Sequence, residues 1–90
     1  MQKSFCMHKL HPGDRAVVYE LKNPASMRRR LQDLGLIEKT EIECLGTAPG
    51  GEISAYLVRG AVIAIRAEDA KKVRVVRCDP ENGEQHEART

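Results

Sequence analysis

Three blocks of alternating character, separated by glycine-bearing turns, constrain this chain more than any other feature. Thr40–Leu45 places Ile42 and Cys44 on one face and Glu41 and Glu43 on the other. Pro49-Gly50-Gly51 breaks the pattern, and Glu52–Arg59 resumes it with Ile53, Ala55 and Leu57 on one face. After Gly60, the segment Ala61–Arg66 sets Ala61, Ile63 and Ile65 on one face. A period of two is the signature of strands lying in a sheet. Two further strands are predicted. Arg15–Leu21 follows the turn signal Pro12-Gly13-Asp14 and is apolar on both faces, which leaves its inward face open. Val73–Val76 follows Ala67–Ala70, which reads as a single helical turn. Five strands joined by tight turns predict a mainly β fold, a small barrel, whose closure hides its strand edges.

One helix interrupts the strands. Asn23 suits its cap and Pro24 its first position. Met27, Leu31 and Leu34 then recur at helical spacing and form one apolar stripe. Gly35 ends it in the left-handed conformation, so that Leu36 folds back on the last turn as in a Schellman ending. About three turns of helix do not persist alone, so packing must hold this one.

The chain has 90 residues, with a single Phe, two Tyr and no Trp, so its core must be aliphatic. A net charge of +2 is too small to point to nucleic acid or to a membrane surface. No apolar run approaches the roughly 20 residues of a membrane span, and the N-terminus lacks the apolar centre of a signal peptide, so a cytoplasmic location without membrane insertion is expected. Cys6, Cys44 and Cys78 are odd in number and far apart, which implies no disulfide framework. The expected organisation is a flexible leader over 1–9, a barrel over 10–76 and a polar, disordered tail over 77–90.

The leader holds the most chemical-looking motif, Cys6-x-His8-x-x-His11. Thiolate and imidazole suit zinc, and imidazole also suits iron. A structural zinc site needs a fourth ligand, which His86 or Cys78 supplies only if both termini meet, and ordinary surface histidines are the plainer reading. Cys44 reads as a small core residue and Cys78 as an exposed, oxidisable thiol. Arg28-Arg29-Arg30 fans around the solvent side of the helix, since successive residues lie about 100° apart. It is either a solvated face or a contact for an acidic partner. A nucleic-acid surface would need more basic area and stacking aromatics. The glycines of "APGGE" are not followed by the Lys and Ser or Thr of a phosphate loop, and no Ser or Cys sits in a nucleophile turn. An enzyme is therefore not expected.

"RRRLQDLGL" (28–36), "APGGEISAYLVRG" (48–60) and "AIRAEDAKKVRV" (64–75), in this order and with Pro12-Gly13 ahead of them, resemble the FeoA family. The resemblance runs from about Leu10 to Val76. It implies an SH3-like barrel with an inserted helix, and a small accessory protein of ferrous iron uptake. The implied partner is FeoB, a membrane permease with a cytoplasmic GTP-binding domain. No cofactor is required in this reading. Two surfaces compete for the docking role: the helix with its following turn (Arg28, Arg29, Arg30, Leu34, Leu36), and the outward face of the fourth block (Tyr56, Val58, Arg59). The alternative is a protein that binds or senses iron or zinc directly through Cys6, His8 and His11. A third reading is a homo-oligomer formed through strand edges or the helix cleft. The sequence departs from the family at Glu38-Lys39, where Pro-Gly is common. A positive φ at Lys39 would cost on the order of 1 kcal/mol relative to glycine.

Overall fold

The computed structural model describes residues 3–78. Six antiparallel strands form one sheet: β1 (Ser4–Cys6), β2 (Arg15–Leu21), β3 (Glu41–Thr47), β4 (Ile53–Val58), β5 (Ala61–Arg66) and β6 (Val73–Arg77). Their order across the sheet is β1-β6-β2-β3-β4-β5. Helix α1 (Ala25–Asp33) joins β2 to β3, and the single turn α2 (Ala67–Ala70) joins β5 to β6. One face of the sheet wraps one core: Ala16 and Val18 from β2, Ile42 and Cys44 from β3, Tyr56 and Val58 from β4, Ile65 from β5, and Val73 and Val75 from β6. Leu31 and Leu36 close it from the helix side. The fold is mainly β with one principal helix, as expected, and the sheet has six strands rather than five among the described residues. Its end strands β1 and β5 have no pairing with each other among the described residues.

The sixth strand comes from the segment expected to be a loose leader. Ser4, Phe5 and Cys6 pair with Val76, Val75 and Arg74. Arg74 holds this strand from beside it, donating from Nη2 to the Ser4 carbonyl at 2.7 Å and from Nη1 to Cys6 Sγ at 3.3 Å. The Arg77 guanidinium lies 5.1 Å from the centre of the Phe5 ring. A 3-10 turn over Met7–Lys9 then drives Met7 into the core with no exposed surface. Arg77, expected to begin the tail, is the last residue of β6. The rest of the expected tail, from residue 79 on, lies outside the described residues.

The face of β4 is the reverse of the expected one. Cys44 pairs with Tyr56 and Ile42 with Val58, and residues opposite each other in an antiparallel pair share a face. The buried pair on β3 therefore carries Tyr56 and Val58 inward and leaves Ile53, Ala55 and Leu57 outside. β4 is apolar on both faces, so alternation alone did not distinguish them.

The helix ends as the sequence predicts and begins differently. Leu36 N–H donates to the Leu31 carbonyl and Gly35 N–H to that of Gln32, the two bonds of a Schellman ending, with Gly35 at φ 109°. At the start, Pro24 occupies the cap position and its carbonyl accepts the Arg28 N–H. Asn23 is instead buried, at 2 % exposure, and its Nδ2 donates to the Asp69 carbonyl at 3.0 Å.

Candidate docking cleft

Helix α1 is anchored at both ends against the β5 hairpin. At its start Asn23 reaches Asp69, just beyond the end of β5. At its finish Gly35 packs on Val58 and Arg59, just before β5 begins. The helix and the strand therefore lie side by side in opposite directions. Between them runs a cleft of about 260 Å³, lined by Met27, Arg30, Leu31, Leu34, Ala64, Ile65, Arg66 and Asp69. Met27, Leu31, Leu34, Ala64 and Ile65 give it an apolar part, and Arg30, Arg66 and Asp69 a charged one. Leu34, the last residue of the predicted apolar stripe, is 49 % exposed at the cleft, whereas Leu31 is buried.

The candidate docking residues separate into two groups. Arg29, Arg30, Leu34 and Arg59 are exposed. Arg28 is half-buried, and its Nη1 donates to the Asn23 carbonyl at 3.2 Å, so it braces the start of its own helix. Leu36 has no exposed surface and Tyr56 is 1 % exposed, so neither can contact a partner. Leu36 is buried because the Schellman ending folds it onto Leu31, and Tyr56 because β4 faces the other way. Burial also pushes the Tyr56 phenol above its usual range. Arg59 and Gly60 form the two-residue turn between β4 and β5, with φ of 52° and 85°.

The Cys6, His8 and His11 set is not assembled. Cys6 Sγ accepts from Arg74, while His11 is exposed, with its Nδ1 3.7 Å from Asp14 Oδ2. The half-buried His8 ring has an unpartnered Nδ1 among the described residues, and burial followed by Lys71 and Lys9 lowers its pKa. These charges disfavour a cation there. Among the described residues, no group of three His, Cys, Asp or Glu side chains is arranged to hold a metal ion. Cys44 is buried as expected. Cys78 is half-buried rather than open, and burial raises its thiol pKa.

Sequence reasoning missed the role of β5. Its place at the end of the sheet, unpaired on its outer side among the described residues, follows from the strand order, which turn lengths do not determine.

A family model described as the FeoA domain matches residues 6–77. A Porphyromonas gingivalis protein, a fusion of Fe(2+) transport protein A with the Fe(2+) transporter FeoB, is 28% identical over 69 residues. That match takes in 77% of this chain, which spans only 8% of the length of this curated relative. Among solved structures, the FeoA protein of Chlorobium tepidum is 29% identical with a TM-score of 0.80, covering 83% of this chain and 71% of that one. The zinc complex of Stenotrophomonas maltophilia FeoA, described as a prokaryotic SH3 domain protein, is 28% identical with a TM-score of 0.71, covering 79% and 88%. No helix among the described residues is long and apolar enough to cross a membrane.

Proposed function

The chain belongs to the FeoA family, and from that premise we propose that it is a non-enzymatic accessory protein of ferrous iron uptake. It docks on the cytoplasmic GTP-binding domain of a FeoB-like permease and regulates it. The cleft beside α1 carries this reading. Leu34 is open in it and Arg30 lines it, with the exposed Arg29 next to Arg30 in the chain and Arg59 in the turn on which Gly35 rests. Apolar surface ringed by charge is the usual make-up of a docking site, with the apolar part giving affinity and the charges giving orientation and encounter rate. The Porphyromonas gingivalis relative supports the choice of partner, because it carries both proteins in one chain. Leu36 and Tyr56 drop out of the site, and Arg28 braces the start of α1 instead of lining it.

The test is the affinity of this protein for the soluble cytoplasmic domain of its own FeoB-like permease. Arg29→Glu/Arg30→Glu should weaken binding at least tenfold and leave the melting temperature within a few degrees. Unchanged affinity would overturn the reading.

A further inference from the structure

Strand β5 is an end strand, with no strand paired on its outer side among the described residues. The Arg59-Gly60 turn makes Val58 and Ala61 the first hydrogen-bonded pair of the hairpin, so Ile63 and Ile65 also turn their backbone N–H and C=O toward β4. The bond from Ala67 N–H to the Glu52 carbonyl, 2.8 Å, continues the same phase. Val62 and Ala64 fall in the opposite phase. Their N–H and C=O groups point away from the sheet and have no backbone partner among the described residues. Edges are normally blunted by charge, proline, a bulge or short length. The other end strand, β1, has only three residues. β5 has six, reads Ala-Val-Ile-Ala-Ile-Arg, pairs with β4 without a register shift, and exposes Val62 at 64 %. Its single charge, Arg66, is at its end.

We propose that the β5 edge takes an extended acidic and apolar segment of the partner as a seventh strand, laid into the cleft between β5 and α1. This deepens the docking reading above and rests on it. The segment's backbone would bond to Val62 and Ala64, its apolar side chains would cover Ala64 and Leu34, and an acidic side chain would meet Arg30. Strand addition of this kind takes affinity from backbone hydrogen bonds and specificity from the alternate side chains.

Charge identifies the occupant. Arg29 and Arg30 have no ion-pair partner among the described residues. Among the described residues Arg66 meets only Glu68, at 3.6 Å between two exposed side chains, a contact weak enough to exchange. Asp69 is the one acid lining the cleft among the described residues, and it lies at the end where α1 begins. A second copy of this chain would offer its own β5, which contains no acid and would bring another Arg66 to a cleft already basic.

The test is amide hydrogen exchange with the full chain, free and bound to the soluble cytoplasmic domain of the FeoB-like permease. The Val62 and Ala64 amides should exchange fast in the free protein and at least tenfold slower in the complex, with Ile63 and Ile65 little changed. Ala64→Pro removes one outward N–H without touching a bond to β4, and should weaken binding at least tenfold with melting retained. If that variant does not fold, the wild-type exchange pattern still decides. Binding that depends on Arg29 and Arg30 but leaves Val62 and Ala64 unprotected would overturn strand addition and keep the docking surface. Absence of binding would overturn both. Protection already present in the free chain would show that the chain itself or a second copy covers the edge, and would also overturn the proposal.

Discussion

A Cβ on Gly35 would stand 3.2 Å from Arg59 Cδ and 3.2 Å from Val58 Cγ1. The end of α1 therefore rests on the β4–β5 turn so closely that a methyl group fits only if Val58 and Arg59 give by a few tenths of an ångström, at a residue whose φ of 109° already favours glycine. Gly35→Ala should cost about 2 kcal/mol from backbone strain and crowding together, lowering the melting temperature by roughly 10 °C. Gly13, at φ 94° with open space around it, separates the two causes, because Gly13→Ala pays only for the backbone. Equal losses in the two variants would show that the contact with Val58 and Arg59 contributes nothing.

Lys39 takes a left-handed conformation that glycine would adopt without strain. Its φ is 74°, and its N–H donates to the Val18 carbonyl at 2.7 Å, so the turn is tied to β2 and cannot relax independently. The side chain is exposed and loses little when removed. Lys39→Gly should stabilise the protein by about 0.5–1 kcal/mol, read as a higher denaturant midpoint with an unchanged slope. A lower midpoint would mean that the added freedom of the unfolded glycine outweighs the relieved strain.

The elements with a repeating signal were legible from the residues. β3 showed its inward face because its other face is Glu41 and Glu43, and the end of α1 was set by Gly35 and Leu36. β4 was misread because Ile53, Leu57, Tyr56 and Val58 make both of its faces apolar, so only the partner strand decides. β1 escaped because three residues cannot display a period. Asn23 had the chemistry of a cap, but its amide is used for a contact 46 residues away. Half of the candidate site was legible, in Arg29, Arg30 and Leu34. The β5 half depends on strand order, a long-range property with no local mark in the sequence.

Met7 gives the clearest test that the N-terminal segment belongs to the core. It is fully buried among residues that include Leu10, Ala70 and Val73. Met7→Ala should cost about 2–5 kcal/mol, as large-to-small changes in cores do, and a domain this small has little stability to spare. A melting temperature within 2 or 3 °C of the wild type, on the order of a few tenths of a kcal/mol, would show that the segment is only loosely attached.

Acid should loosen the same corner of the molecule. The Asp14 carboxylate accepts the His11 backbone N–H at 2.9 Å and lies 3.0 Å from Arg77 Nη1, and these contacts, the first larger, hold its pKa below the usual 3.8. Unfolded Asp14 therefore takes up a proton at a higher pH than folded Asp14. The stabilisation is complete above the unfolded value and is lost as the pH falls through the folded one. Asp14→Asn keeps an oxygen for His11 but removes the charge facing Arg77. The variant should be the less stable protein at pH 7, and its urea midpoint should converge on that of the wild type between pH 4 and pH 2. A constant gap between the two proteins across that range would assign the effect to hydrogen-bond geometry rather than to the charge.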